Sequence, residues 1–402
     1  MENIRILFVD DEQSLLDGLR RTFRRKTNDW DMRFATSGKE GLELLQQAPA
    51  DVIVSDMRLS EMDGIEFLRK VKTRYPNTIR FILSGYSDTS MIMDSVGLSH
   101  QFFAKPCDPD LLIKAITYSN SLYRRINSRE IQEVVCGLKS LPTPPHTYMR
   151  MSEELRKIEP SIEILSDIVR TDTAISVKIL QMVNSAFFGI GQPIDDIGQA
   201  TVFMGVENLK SLALIVGISN ESFSSINHEF ALDLYTDHSV QVGSVSQELA
   251  KDIGLSRKDY QAAFTAGLLH DIGKLVMATH FSKSYSEVQE FRMQYPDTED
   301  TQDMESDIFG LNHADIGAAL IGIWGLPPSI VNAVAYHHKP QEDTEPYVSL
   351  STIVHIANAL VLHRRGQGVD SIFDSNLLNR DHIQMLGLED QITDWMLDND
   401  LA

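Results

Sequence analysis

Two sets of side chains in this 402-residue chain could do chemistry. In the first, Asp10, Asp11 and Glu12 follow the apolar run IRILFV, Asp56 sits in SDM, Ser84 in LSG and Lys105 in AKP. Carboxylates gathered at one mouth repel each other, and a cation relieves that repulsion. Mg²⁺ suits the role, because it is hard, takes carboxylate oxygens and keeps several waters. A lysine beside them can neutralise a phosphoryl group, and a hydroxyl can hydrogen-bond one of its oxygens. The second set is His238, the pair His270–Asp271, His313 and the pair His337–His338, with Lys274 one helical turn after His270. Imidazole with carboxylate suits Fe, Mn or Zn, and the carboxylate of an adjacent His–Asp pair can bridge two metals. Any one of these histidines alone reads as structural. Together, in this order, they read as a ligand set, with a hydrogen-bonded polar core as the competing explanation.

The first set needs a scaffold that brings distant segments together. Residues 4–126 alternate the short apolar runs 4–10, 31–37, 51–57, 79–85 and 101–106 with segments of helical period, among them LLDGLRRTFRR, GKEGLELLQQ, GIEFLRKVKTRY and DTSMIMDSVGL. Five strands alternating with helices predict an α/β doubly wound parallel sheet covered on both faces. Functional groups in such a sheet gather beyond the carboxyl ends of the strands, where Asp10, Asp11, Asp56, Ser84 and Lys105 all fall.

VDDE, SDM, LSG and AKP, in this order and spacing, resemble the receiver domain of two-component response regulators, a flavodoxin-like fold, and the match covers the whole segment. The resemblance implies that Asp56 is the phospho-acceptor. It further implies that Asp11 and Asp56 hold Mg²⁺, with Asp10 contributing through water, and that Lys105 pairs with the phosphoryl oxygens. Ser84 would move toward the phosphoryl group, and Phe102 would be the aromatic that rotates inward behind it. Ser84 stands where Thr is commoner and Phe102 where Tyr is commoner. A histidine kinase is the implied phospho-donor.

After Pro106 the chain reads as helix, expected to continue through a linker over 127–140 until LPTPPHT at 141–147 stops it, since proline lacks a donor and restricts the residue before it. A receiver at 1–126 and an output domain at 141–402 are therefore expected. The second half carries almost no strand signal. Helices are expected around 230–253, 259–280, 285–294, 313–324, 328–337 and 347–363, in an all-α domain without a fixed repeat. LALIVGI at 212–218 reads as core helix, the acidic stretch 296–307 as a solvated loop, and the tail as a short amphipathic helix presenting Ile392, Trp395, Met396 and Leu401.

LPTPP, RTDTAISVKILQMVNSAFFG, GVENLKSLAL, GLLHDIGKL, NHADIGAALIGIWGLPPSIVNAVAYHHKP and IVHIANAL resemble the HDOD branch of the HD superfamily of metal-dependent phosphohydrolases, over roughly 135–365. HDOD domains are viewed as degenerate relatives that signal through contacts rather than hydrolysis. The resemblance implies a protein target, such as a true HD-GYP phosphodiesterase, and allows a homodimer. By position, His238, His270, Asp271, His313, His337 and His338 match ligands of HD-GYP phosphodiesterases, and Lys274 matches their lysine. Two departures weigh against catalysis. HHKPQEDTEPY lacks the Gly-Tyr-Pro loop, and Asn358 stands where the last metal-binding Asp would fall. The alternative that remains is a phosphorylation-gated phosphodiesterase acting on a cyclic dinucleotide.

Composition supports this. At 43% hydrophobic and 23% charged the chain resembles ordinary globular proteins. A net charge of −21 argues against a DNA-binding output, which would present a basic face to phosphates. The basic cluster Arg20, Arg21, Arg24, Arg25 and Lys26 reads as a solvated or partner-facing surface. No secretory signal is readable, no apolar stretch approaches the ~20 residues of a membrane helix, and two cysteines at unrelated spacing suit a reducing cytoplasm without a disulfide.

Overall fold

The computed structural model describes residues 3–26, 29–60, 62–85, 97–138, 141, 145–155, 157–184, 193–206, 209, 232–294, 301–344, 347–363, 372–373 and 377–398. The chain divides into two compact units, one of 1–140, 181–193 and 319–326, the other of 141–180, 194–318 and 327–402.

The first unit is built on strands β1 (Ile4–Val9), β2 (Trp30–Ala35), β3 (Val52–Asp56), β4 (Ile79–Ser84) and β5 (Gln101–Ala104). They form one parallel sheet in the order β2-β1-β3-β4-β5. The central strands are apolar runs rather than alternating ones because both faces are covered. Leu7, Val9, Ile53, Ile82 and Phe102 pack on Phe67, Leu68 and Val71 in a single core. The covering helices include α1 (Gln13–Thr22), α2 (Gly38–Gln47), α3 (Gly64–Arg74) and α4 (Pro109–Arg125). Each of the last three begins at a side-chain cap, Ser37, Asp63 or Asp108, that accepts from a first-turn amide. The helix expected from DTSMIMDSVGL falls largely on 86–96, outside the described residues. Arg20, Arg21 and Arg24 line an open groove with Trp30 and Phe34, and the Arg20 guanidinium lies 4.6 Å from the Phe34 ring centre. The side chains of Arg25 and Lys26 lie outside the description.

The helix after Pro106 does not run unbroken through the linker. It stops at Ile126, whose backbone is extended, and Ser128 starts a new helix, α5 (Arg129–Gly137), by accepting from the Ile131 amide at 3.4 Å. A serine favours a cap over a helix interior because its hydroxyl competes for nearby backbone groups.

Every described element of the second unit is a helix. In order they include α6 (Pro145–Leu155), α7 (Ile162–Arg170), α8 (Thr173–Val183), α9 (Leu232–Asp252), α10 (Arg257–Leu269), α11 (Ile272–His280), α12 (Ser282–Gln294), α13 (Gln302–Phe309), α14 (His313–Ile323), α15 (Pro328–Tyr336), α16 (Leu350–Leu362), α17 (Arg380–Leu386) and α18 (Glu389–Asp398). The segment 212–218 lies outside the described residues. Helix α16 is apolar nearly all round and buried, packing on α9, α10 and α15. The tail helix docks as expected: Ile392, Trp395 and Met396 join Leu249, Ile353 and Ile356 in one core, while Leu401 is outside the description. Among the described residues no helix is long and apolar enough to cross a membrane. Both cysteines are free.

Two further expectations change. The single helix expected over 259–280 is two, α10 and α11, with His270 and Asp271 at the break. The acidic stretch is not a loop throughout: α13 occupies its second half and ends at Gly310 in the left-handed conformation. Both differences bear on the site.

Candidate functional site

In the first unit, parallel register brings the strand ends together. Asp56 pairs with Leu83, one residue before Ser84, and Ala104 pairs with Ser84, so Lys105 emerges beside the serine. Asp10 follows β1, which neighbours β3. Lys105 Nζ is 2.6 Å from Asp10 Oδ2 and 2.8 Å from Asp56 Oδ2. Asp10, Asp11 and Asp56 each offer an oxygen within 4.8 Å of the others. Asp10 and Asp56 are buried and Asp11 is exposed, so the mouth opens to solvent on the Asp11 side. The Asp56 carboxyl is held above its ordinary value by burial, with the Lys105 ammonium opposing that. Burial acts to lower Lys105, but hydrogen bonds to Asp10 and Asp56 outweigh it and hold the ammonium above its ordinary value. Three hard oxygen donors with one cation between two of them form a site short of positive charge, which fits Mg²⁺. Gly64 lets α3 begin against this site, since a Cβ there would collide with the carbonyl oxygens of Asp56 and Met57. Ser84 is buried, its hydroxyl 3.4 Å from the Gly85 carbonyl oxygen, and Phe102 is packed inward in the core.

In the second unit, all six expected ligand residues meet. His238 sits in α9, His270 and Asp271 at the α10–α11 break, His313 at the start of α14, and His337 and His338 just after α15. The break lets both members of the pair face one centre, where one continuous helix would splay adjacent side chains about 100° apart. Close approach of α11 and α14 requires Gly273, because a Cβ there would collide with the His313 carbonyl oxygen. Ring centres are 5.3 Å apart for His238–His270, 5.0 Å for His270–His337 and 5.0 Å for His313–His338. Asp271 is shared between two groups. Its Oδ1 is 3.1 Å from His313 Nε2 and 3.7 Å from His337 Nε2; its Oδ2 is 2.7 Å from Lys274 Nζ, 3.3 Å from His270 Nε2 and 3.8 Å from His238 Nε2.

The hydrogen bonds decide where the lone pairs point. A carbonyl oxygen only accepts, so His270 Nδ1 donates to Gly267 at 2.7 Å and His337 Nδ1 donates to Val334 at 2.8 Å. His313 Nδ1 likewise donates to the Glu305 carboxylate at 2.6 Å. Neutral rings held this way aim their Nε2 lone pairs inward, the arrangement that metal-ligating histidines use. His313 Nε2 then stands 3.0 Å from His338 Nε2 and 3.4 Å from His337 Nε2. The His313 and His337 lone pairs cannot hydrogen-bond each other, so this pair calls for a cation or a proton between them. Burial pulls His313 down, but Glu305 and Asp271 outweigh it and push it up to about 9, so without an ion a proton takes that place. His337 and His338 are driven well below their ordinary value by burial and by neighbouring histidines. Burial would raise Asp271, but His270, Lys274 and His313 hold it well below its ordinary value. His270 Nε2, Asp271 Oδ1 and Asn358 Oδ1 are buried without hydrogen-bond partners. Orphaned donor atoms of these types fit a divalent cation, with His313, His337, His338 and Asp271 as one ligand group and His238, His270 and Asp271 as another.

Glu305 was not legible as part of this site. It is fully buried on α13, inside a run of acids that reads as solvated. The signal that could have separated it was the apolar spacing of Met304, Ile308 and Phe309 before the stop at Gly310.

The response regulator receiver domain family matches residues 6–117, and the HDOD domain family matches residues 141–340. An uncharacterized protein of Treponema pallidum is 22% identical over 345 residues, 82% of this chain, which spans 66% of that protein's length. Sporulation initiation phosphotransferase F of Bacillus subtilis is 31% identical over 119 residues, covering 29% of this chain and 93% of its own. The crystal structure of the MmoQ response regulator from Methylococcus capsulatus strain Bath matches with a TM-score of 0.50 at 22% identity, over 64% of this chain and 98% of that one. That likeness extends to the fold.

Proposed function

Because the chain belongs to the response regulators, with a receiver domain followed by an HDOD domain, we propose that it is switched by phosphorylation of Asp56 and signals through its HDOD domain by contact with another protein. The observation that carries the first half is Lys105 Nζ set between Asp10 Oδ2 and Asp56 Oδ2 at 2.6 and 2.8 Å. Asp10, Asp11 and Asp56 would hold Mg²⁺, which neutralises charge on an incoming phosphoryl group. Asp56 Oδ2 attacks the phosphorus of the donor and forms an acyl phosphate as the donor's own bond to phosphorus breaks and the dephosphorylated donor leaves with that electron pair, while Asp56 Oδ1 is held by the Met57 amide at 2.7 Å. Lys105 is placed to exchange its carboxylate partners for a phosphoryl oxygen, and the Ser84 hydroxyl to donate to another. A kinase is the expected phospho-donor, as a receiver domain implies. With Mg²⁺ and a small phospho-donor, the wild type should gain one phosphoryl group and Asp56→Asn none. Equal labelling of both would remove Asp56 from this role.

A second reading has a specific observation behind it. The convergence of His313, His337 and His338 Nε2 on Asp271 Oδ1 is what a metal-dependent phosphodiesterase needs, and the bound cation would polarise a phosphoryl oxygen and acidify a water. In that reading the receiver gates hydrolysis of a cyclic dinucleotide. We place it second because the Gly-Tyr-Pro segment is absent after His338 and Asn358 lacks a charge. A retained ion in a contact-signalling domain accounts for both the ligands and these departures.

A further inference from the structure

We propose that Glu305 is the positioning residue of this centre: without touching the metal, it orients His313 and fixes its tautomer, so that divalent-ion binding depends on it. The inference rests on the reading that the histidine cluster holds a divalent cation.

Glu305 is 0% exposed, and both of its oxygens are committed. Oε2 accepts from His313 Nδ1 at 2.6 Å and from the His313 backbone amide at 2.8 Å. Oε1 accepts from the Thr301 hydroxyl at 3.0 Å. One carboxylate oxygen thus grips both the ring and the backbone of a single histidine, setting its position and its rotation together. The backbone on either side of this pair is tied as well: the Glu305 amide donates to the Thr301 carbonyl at 2.9 Å, and Asn312 Nδ2, beside His313, donates to Gln302 Oε1 at 3.2 Å. Glu305 stands behind the ring, on the Nδ1 side, while Nε2 faces His337, His338 and Asp271. It therefore cannot share the ion with Nε2 of the same ring.

His270 and His337 have their Nδ1 protons received by neutral backbone carbonyls of their own helices. His313 alone of these three is served by a carboxylate from another helix. Fully burying a carboxylate is costly, and a carbonyl or amide would hold a purely structural histidine at lower cost. A negative oxygen behind an imidazole does something an amide does not: it raises the basicity of the far nitrogen, which strengthens that nitrogen as a ligand.

The test uses the full-length protein and Co²⁺, whose visible absorption reports ligand number and geometry. Wild type and Glu305→Gln are stripped with chelator and titrated with Co²⁺ while the unfolding midpoint of the metal-free protein is followed separately. Glutamine keeps the shape and one acceptor but removes the charge. We expect Co²⁺ affinity to fall by roughly 10–100-fold, with an altered spectrum and partial recovery in Glu305→Asp. If Glu305→Gln does not fold, Thr301→Ala supplies the test, since it frees Oε1 and keeps the charge; it should weaken Co²⁺ binding several-fold. A variant that binds Co²⁺ as the wild type does, with only its unfolding midpoint lowered, would make Glu305 a structural residue and overturn the proposal. Absence of Co²⁺ binding in the wild type is a different result, which would overturn the metal reading itself and this inference with it.

Discussion

Arg80 Nη2 lies 2.6 Å from the carbonyl oxygen of Cys136, tying β4 to the last turn of α5. The guanidinium is buried and also donates to the carbonyls of Leu98 at 2.6 Å and Thr78 at 2.7 Å. His100 completes the clamp. Its Nδ1 accepts from the Arg80 amide at 2.9 Å, so in the neutral ring Nε2 carries the proton and donates to Cys136 at 3.0 Å. Burial pulls Arg80 down to about 10, still charged at neutral pH, with its charge met by carbonyl dipoles.

Arg80→Met should therefore release α5 rather than the sheet. It removes the charged donor from the Cys136 carbonyl, leaving His100 there alone, and the donors of the buried Leu98 and Thr78 carbonyls, at roughly 1–3 kcal/mol for each carbonyl left unmet. Amide exchange over 129–138 should accelerate strongly, while β1 and β3 stay protected. Unchanged exchange in that segment would show that the apolar face of α5 holds it without the clamp.

Hydrolysis offers a separate expectation. The ligand geometry alone would support metal chemistry, but nothing after His338 supplies the Gly-Tyr-Pro contacts and Asn358 carries no charge. Purified full-length protein loaded with Mn²⁺ or Fe²⁺ should turn over cyclic dinucleotides slowly or not at all. Rapid turnover that vanishes in Asp271→Ala would install the phosphodiesterase reading in place of contact signalling.

Lys178, buried on α8, is pulled by burial from 10.5 down to about 7. A depressed lysine means that between about pH 7 and 10.5 the unfolded chain binds more protons than the folded one. The penalty is therefore present in full below that window and disappears as pH rises through it. The stability of Lys178→Met relative to wild type should be greatest at pH 7 and fall by on the order of 2–4 kcal/mol towards pH 10. Urea unfolding of both proteins across this range checks it. A gain that does not vary with pH would locate the effect in packing instead of charge.

The five strands and the catalytic-type residues at their ends were legible because a buried parallel strand is a short apolar run and parallel connections force the functional groups to one edge. The convergence of the histidines and Asp271 in the second unit was legible from their type and order. Three features were not, each because a local rule competed with the global one. At Ser128 the hydroxyl restarts a helix that the apolar period carries straight through. At His270–Asp271 the periodicity on either side is uninterrupted, and only tertiary convergence on one centre explains the break. At Glu305 composition pointed to solvent, while the partner that justifies burial, His313, is eight residues away in a different helix.

Asn358 gives the sharpest test of what the histidine cluster now is. It lies on α16, which packs on α9, α10 and α15, the helices that carry or precede His238, His270 and His337. Its Oδ1 is buried and accepts no hydrogen bond. Asn358→Asp changes little in volume but places a negative charge in a closed interior. Without a cation that charge is uncompensated, so the metal-free variant should unfold several degrees lower than wild type. With Mn²⁺ or Zn²⁺ the charge becomes a ligand, and binding to the folded state alone should restore the midpoint and carry it above wild type. Metal content per chain should rise in parallel. A variant destabilised to the same extent with and without metal, and holding no more of it, would mean that the centre no longer admits a divalent ion at this edge. The proton on His313 Nε2 would then be shared with Asp271 Oδ1 at 3.1 Å, and the cluster would be polar core.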